Sequence, residues 1–472
     1  MNSRNSIRCC LARALVLAGG ALILTFTGLI NTAGAAKPPK PPPPPPPPAP
    51  YTYLYLGGLG GSDGDAYAIN NAGQVVGHAA TTAGIQHAFI VVPQDTDHDG
   101  KPDLWNPTGT TQGLNPLMTD LGAPSGFEHV TTANALDVND LGQVLGYCQG
   151  TNLDKSTWET WWVVAPTDVN EDGKPEWYRD DGMGANALMI PLRLGGDYVT
   201  DLQFTAINNS GQIVGSCTRA GFVLIPLDAD QDGRPDTWFE DANLDGLNDL
   251  FVDLGQAFNP SGALVNLAPS DINDDGQIVG YIGYTPFLLT PKRTPAGPVW
   301  VEDLHGDGEN DLIVRLPMPL TGSVGYSRLV VNNKGSIAGN FRTSKGTYHA
   351  ILWRTDAQGA LQYTDLGVPN SETHIRSQDI NDGDQVVGDA ILYGNVRGIQ
   401  NTVRTWSGWL WDNGVMKDVR TLMDKSAELT GRYMFTAGIN NAGLMVGFAG
   451  AVTVGSTEGP AGYYPWIAVP TR

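Results

Sequence analysis

Five short segments carry side chains that could hold a metal ion. They read DTDHDGKPD at 95–103, DVNEDGKPE at 168–176, DADQDGRPD at 228–236, DANLDGLND at 241–249 and DLHGDGEND at 303–311. Each has oxygen-bearing or imidazole side chains at loop positions 1, 3, 5 and 9, and Gly at position 6. Side chains at alternate positions converge on one centre when the chain wraps around it, and Gly permits the sharp turn. Calcium, a hard ion that takes roughly six to eight oxygens at about 2.3–2.6 Å, suits this donor set. The candidate ligands are Asp95, Asp97, Asp99 and Asp103 in the first loop and Asp168, Asn170, Asp172 and Glu176 in the second. The third offers Asp228, Asp230, Asp232 and Asp236, the fourth Asp241, Asn243, Asp245 and Asp249, and the fifth Asp303, Asp307 and Asp311. The position-7 carbonyls of Lys101, Lys174, Arg234, Leu247 and Glu309 would each add an oxygen. His305 at position 3 makes the fifth loop the weakest.

These loops are not EF-hands. Position 12 should be a bidentate Glu, but is Asn106, Arg179, Phe239, Val252 or Val314. One segment mimics them: Asp271, Asn273, Asp275 and Gly276 occupy positions 1, 3, 5 and 6, but position 9 is Val279 and the segment belongs to a repeated hairpin. The remaining reactive residues are scattered. His78, His87, His98, His129, His305, His349 and His374 form no HExxH pair, and no G-x-S-x-G or P-loop string occurs. Cys148 and Cys217 lie at equivalent places in adjacent repeats, which leaves open a bridge near a shared axis or two buried thiols. Trp161, Trp162, Trp409 and Trp411 could stack on sugar rings or pack a core.

The elements that position the loops repeat seven times. The phrase reads AINNAGQVVG at 68–77, DVNDLGQVLG at 137–146, AINNSGQIVG at 206–215 and DINDDGQIVG at 271–280. It returns as VVNNKGSIAG at 330–339, DINDGDQVVG at 379–388 and GINNAGLMVG at 438–447. Asn and Gly make a turn, with Gly supplying positive φ, and Val-Val starts the return arm of a hairpin. Two adjacent apolar residues on that arm point to opposite faces, so both faces should be covered. Downstream of each copy lies a short aromatic strand, such as HAFIVV at 87–92, and upstream of most lies a Leu-Gly element, such as DLG at 120–122. The predicted unit has four strands: the Leu-Gly element, two hairpin arms and the aromatic strand. Such units cannot bury both faces alone, and only closure removes exposed edges. The expected fold is therefore all-β: a seven-bladed β-propeller of four-stranded blades over 51–472, with calcium-loop hairpin insertions near 93–119, 165–191, 226–252 and 290–314; the alternative is an open solenoid, which would want atypical capping units at each end. In the sixth copy Asp384 replaces the turn Gly, so its turn is predicted to differ. Within the insertions Trp105, Trp177, Trp238 and Trp300 align, as do Asn115, Asn186, Asn248 and Asn310.

The repeated phrase, with the His87-Ala88-Phe89 motif, resembles the bacterial HAF family of extracellular repeats over nearly all of 51–472. That resemblance implies an exported repeat protein and carries no assigned chemistry. DxDxDGxPD followed by an apolar strand is similar to the calcium hairpin of FG-GAP and VCBS repeats. There the position-9 acid completes the shell, which would make the Asp95–Asp103 set the strongest site, followed by the 228–236 and 168–176 sets.

Charge and the N-terminus bound the partners. The chain has 28 basic and 49 acidic residues, and without the three arginines of its first 36 residues the net charge is −24. Such a surface repels phosphate, so no nucleic-acid partner is expected. Arg4, Arg8 and Arg13, the apolar run 14–30 and the small-residue site at 31–36 read as a signal peptide over 1–36, leaving no stable membrane span after cleavage. Residues 37–50 are almost all proline, a polyproline II linker of roughly 43 Å at about 3.1 Å per residue. The expectation is a secreted or envelope-located monomer that binds calcium and an extracellular protein or glycan. The alternative is a polysaccharide-active enzyme on the same scaffold, marked by a central pocket of acids and aromatics drawn from several blades.

Overall fold

The computed structural model describes residues 50–472 except 111–112, 128, 153, 197–200, 296, 320–322, 325–327, 370–372, 397–398, 430–432, 451–461 and 472. The segment read as a signal peptide, and the linker up to residue 49, lie outside the described residues. No described helix is long and apolar enough to cross a membrane. The described residues are all-β apart from a 3-10 turn at Val419–Leu422 and a four-residue helix at Ser426–Leu429.

Every copy of the repeated phrase is a turn between two antiparallel strands. In the first, Gly60–Ile69 pairs with Val75–Thr81, which pairs with Gln86–Val91, which pairs with Met118–Gly122. The last of these is the Leu-Gly element that precedes the second copy. It therefore completes the sheet of the preceding unit and does not begin its own, contrary to the predicted order. Phe251–Asp253 and Leu361–Gly367 do the same for the third and fifth units. The shift leaves the final unit one strand short, and the chain's first described strand supplies it. Tyr51–Tyr55 pairs with Tyr463–Pro470, beside Met445–Gly450 and Tyr433–Ile439. The first strand thus completes the last unit through ladder hydrogen bonds, which removes an exposed edge. Larger sheets arise where two units touch through one parallel pair, Gln86 with Thr132 and Tyr348 with His374.

The core lies between successive units. Val75 and Val76 are both fully buried but belong to different clusters. Val76 packs with Ala133, Val144 and Trp162 of the second unit, whereas Val75 shares a cluster with Val446 and Ile467 of the seventh. Leu145 joins the third unit through Phe204 and Phe222, and Val279 joins the fifth through Ile337 and Trp353. Val387 and Leu410 of the sixth pack on Met434 and Trp466 of the seventh. Burying each such side chain contributes on the order of 1.5–3 kcal/mol. Cys148 and Cys217 are two buried free thiols, Cys148 packed among Ala133, Val144 and Trp162.

The turns carry a second seam. Asn70 Nδ2 donates to the Asn139 carbonyl at 2.8 Å, Asn139 to Asn208 at 2.8 Å and Asn208 to Asn273 at 2.9 Å. Asn273 donates to Asn332, Asn332 to Asn381 and Asn381 to Asn440, each at 2.9 Å, and Asn440 returns to Asn70 at 3.0 Å. These seven amides form one closed cycle of buried hydrogen bonds. The sixth turn does not differ as expected. Asp384 takes the positive φ that Gly holds elsewhere, and its N–H bonds the Asn381 carbonyl at 3.0 Å. Its carboxylate accepts from Asn332 Nδ2 and Arg354 Nε, offsetting the strain of a non-Gly residue at that angle.

Candidate functional sites: acidic loops and ring axis

The insertions are hung on the hairpin turns. Trp105, Trp177, Trp238 and Trp300 are buried and donate their indole N–H to the carbonyls of Gly73, Gly142, Gly211 and Gly276, at 2.7–2.9 Å. Asn115 bridges the carbonyls of Leu56 and Trp105, and Asn186, Asn248 and Asn310 make the equivalent pair of bonds. The third insertion is also held by its neighbour: Gln143 Nε2 donates to the Pro235 carbonyl at 2.7 Å. Rigid anchors of this kind let short loops keep one shape.

All five acidic loops share that shape. The position-1 carboxylate accepts the N–H groups of positions 5 and 6, as Asp95 does from Asp99 and Gly100 at 3.2 and 2.9 Å. Asp168, Asp228, Asp241 and Asp303 repeat the pair. Position 5 accepts from the N–H of position 7, and position 9 accepts from the N–H of position 2, in every loop. Position 4 has positive φ throughout: His98, Glu171, Gln231 and Leu244 at 60–61°, and Gly306 at 69°. Hydrogen bonds from Thr96 hold the Asp103 carboxyl below its ordinary range, and the Leu304 N–H does the same for Asp311.

The donor spacing fits calcium. Two oxygens bound to one ion at about 2.4 Å lie no more than about 4.8 Å apart. One oxygen each from Asp95, Asp97 and Asp99 meets that limit, as do sets from Asp168, Asp172 and Glu176 and from Asp228, Asp230 and Asp236. Asp103 and Asp232 fall outside these groups. Asn170 and Asn243 turn their amides to Glu176 and Asp249, at 2.6 and 3.0 Å. Among the described residues the fourth and fifth loops gather no such trio of acids. In the fifth, His305 Nδ1 lies 2.8 Å from Asp311, whose carboxylate raises the imidazole's proton affinity. That pairing opposes a ligand role for His305.

Elsewhere the predicted residues are structural. His87 lies 2.8 Å from Asp120 and His349 3.0 Å from Asp365, so the His of the HAF-like motif clasps the Asp of the outer Leu-Gly strand. Trp162, Trp409 and Trp411 are buried, whereas Trp161 is half-buried and lines two cavities. Asp275, 72% exposed, pairs with Arg293, and Asn273 belongs to the amide cycle.

A group in a cavity lined by all seven repeats escaped sequence reading. Asp137, Asp271 and Asp379 open the second, fourth and sixth phrases and face one cavity of about 170 Å³ with Arg328. Each carboxylate reaches the next unit, accepting the N–H of Ile207, Val331 or Ile439 at 2.8–3.0 Å. Arg328 Nη2 approaches Asp271 at 3.9 Å. Burial raises the Asp271 carboxyl to about 6 and the Asp379 carboxyl to about 7, and pushes Asp137 upward as well. Nearby, Tyr67 Oη lies 2.9 Å from His78 Nδ1. Burial lowers His78 to about 4, raises Asp65 to about 7 and pushes the Tyr67 phenol upward.

No family model and no curated protein matches the chain. Among solved structures, an ulvan lyase from a new polysaccharide lyase family has a TM-score of 0.31 and 10% identity, covering 88% of this chain and 94% of that one. A second structure of an ulvan lyase, bound to a glucuronate–sulfated rhamnose unit, gives the same score and identity over 93% of its length. A mutant Aleuria aurantia lectin in complex with a fucosyl-N-acetylglucosamine has a TM-score of 0.27 and 9% identity, covering 90% and 98%. At these scores neither the chemistry nor the ligands of those proteins are carried over.

Proposed function

We propose that this chain is an exported, calcium-stabilised, seven-bladed β-propeller of the HAF type. It works as a non-catalytic binding or adhesion module at the bacterial envelope or outside the cell. The observation that carries the reading is the cycle of seven buried asparagine hydrogen bonds that returns from Asn440 to Asn70. A closed cycle needs seven units around one axis, and an open stack has no partner for its last amide. Calcium is supported by five loops of one backbone shape, three of which bring acidic oxygens within reach of a single ion. The non-catalytic reading is supported at the axis. Its three acids are each tied to a backbone N–H group of the neighbouring unit, which gives their carboxylates a structural task.

The test is thermal unfolding with calcium and with a chelator. A site held at about 100 times its dissociation constant stabilises by roughly 2.7 kcal/mol. Asp97→Ala and Asp230→Ala should each lower the bound calcium by about one ion in equilibrium dialysis. A melting curve indifferent to chelator, with unchanged stoichiometry in both variants, rejects the calcium assignment.

A further inference from the structure

In six of the seven hairpins the inner strand shifts register just before the repeated phrase. Its register shifts at Ala66/Ala68, Ala135/Asp137, Phe204/Ala206, Pro269/Asp271, Ser377/Asp379 and Thr436/Gly438. A bulge inserts one unpaired residue and re-aims its side chain. Here those residues are Tyr67, Leu136, Thr205, Ser270, Gln378 and Ala437, and all six line one cavity of about 430 Å³. The fifth copy contributes Arg328 to the same space. Six copies thus deliver their bulge residue to a common mouth, and the fifth, whose equivalent Leu329 is buried, delivers the residue before it. The flanking phrase repeats almost unchanged, while the bulge residue differs in all six bulged copies. A scaffold that repeats around positions that do not is how a ring acquires one specific site.

We propose that this axial mouth is the ligand site of the binding module and that its ligand is a neutral saccharide; the proposal rests on the propeller reading above. The lining chemistry selects that class. Gln203 and Ser270 offer both donors and acceptors without charge, and the oxygens of Tyr67, Thr205 and Gln378, whose groups also bond within the protein, add acceptors that match hydroxyl groups. Trp161 forms an aromatic wall, its ring set by Tyr147 at 5.3 Å and Phe204 at 5.7 Å between centroids. Stacking of an apolar sugar face on such a wall, with a few placed polar groups, is how small-ligand pockets of about 300–1,000 Å³ combine affinity and orientation. Among the described residues Arg328 is the one cation of this lining and already faces Asp271 at 3.9 Å, with Asp137 and Asp379 around the same inner cavity, so it is not left as a dedicated partner for an anionic sugar. Trp161 and Gln203 also line an adjoining cavity of about 690 Å³, with Phe127 and Arg193, so a chain of several sugars can continue outward between the second and third units.

The experiment is isothermal titration calorimetry on protein purified from an exporting host, in calcium. The ligands are the hexaoses of cellulose, mannan, xylan and laminarin, with hexagalacturonate as the anionic comparison. At least one neutral hexaose should bind. Trp161→Ala should weaken it at least tenfold, Gln203→Ala about threefold, and Trp161→Phe less than Trp161→Ala. Binding unaffected by Trp161→Ala and Gln203→Ala overturns the site. Binding of hexagalacturonate alone overturns the ligand class, and binding of no member overturns the proposal. In each of these cases an intact calcium response in melting leaves the propeller reading standing, whereas its loss in the wild type strikes that reading separately. Gln203 is exposed, so its variant keeps the test valid if Trp161→Ala fails to fold.

Discussion

Replacing Asn440 by alanine removes three hydrogen bonds at the point where the chain's two ends meet. Asn440 is 3% exposed. Its Nδ2 reaches the Asn70 carbonyl at 3.0 Å, and its Oδ1 accepts the N–H groups of Ala442 at 3.1 Å and Leu444 at 3.0 Å. The Asn70 carbonyl keeps one partner, the Gly73 N–H at 3.0 Å, so its loss is about 1 kcal/mol. The buried Leu444 N–H keeps none and costs about 1–3 kcal/mol, while the half-buried Ala442 N–H can turn to water. Together the variant should lose about 3 kcal/mol, read as a lower urea midpoint at unchanged slope by tryptophan fluorescence. The neighbouring Asn441→Ala is the control. Its bonds to Asp382, both at 2.8 Å, are exposed, and its loss should stay below about 1 kcal/mol. Asn208→Ala, at an internal junction, breaks the same three bonds and a fourth to Gln212 Oε1 at 2.8 Å, so it should cost about 1 kcal/mol more than Asn440→Ala. If Asn440→Ala costs no more than Asn441→Ala, or far less than Asn208→Ala, the ends are not sealed and the closed ring is wrong.

Two further outcomes follow from the axis and the outer turn. Asp65 and Asp379, at about 7, and Asp271, at about 6, hold protons in the folded state that an unfolded chain with carboxyls near 3.8 releases between about pH 4 and 7. The folded state binds more protons in that window, so stability falls as pH rises through it. His78, at about 4 against 6.5 unfolded, opposes this, but it is one group against three. In saturating calcium the melting temperature should be higher at pH 5 than at pH 8. Asp379→Asn should narrow the gap, and a gap as wide in the variant rules out its axial titration. At the outer turn, Asn209 Nδ2 donates to Asp140 at 3.1 Å and Asp274 at 2.9 Å. Asn209→Asp sets three acids side by side and should lose about 1–2 kcal/mol, partly regained in high salt. Loss that ignores salt counts against the repulsion.

The hairpins were legible because their turn needs Asn, Asn and Gly in fixed order, and the buried Val-Val pair because period-two alternation was violated. The acidic loops were legible for the same kind of reason: Gly100 and its equivalents sit at the positive φ that their position requires. The pairing partner of the Leu-Gly strand was not legible. DLG at 120–122 stands between two units in the chain, and only the ladder to Gln86–Val91 shows which it joins. Gly77 signalled close approach, and an added Cβ would lie 1.9 Å from the Asp65 carbonyl oxygen. The bulge that brings that carbonyl in leaves no mark on Tyr67 or Leu136, which read as ordinary strand residues. Asp384 shows the opposite failure, a departure from the pattern that changes little, because acids tolerate the left-handed region when their side chains find partners.

One pattern was present in the sequence and gains meaning only from the hydrogen bonds between copies. The fourth residue of the phrase runs Asn71, Asp140, Asn209, Asp274, Asn333, Asp382, Asn441, a strict alternation. In space each backbone N–H at this position reaches the side chain of the next copy: Asn71 to Asp140 at 2.8 Å, Asp140 to Asn209 at 2.6 Å, and so on to Asn441, which reaches Asn71 at 2.9 Å. Alternation separates every carboxylate from the next by an amide that can donate to it, as Asn333 does to Asp274 at 2.7 Å. Adjacent acids would repel with no donor between them. A closed ring of seven cannot alternate throughout; two like residues must meet once. They meet as two amides, Asn441 beside Asn71, where the last copy touches the first. Asn there leaves no pair of charges in contact, and the acids at the first phrase position obey the same spacing at Asp137, Asp271 and Asp379. An open array has no reason to avoid Asp at both of its ends, because those ends never meet. The avoidance is what the proposed closure would require of the sequence.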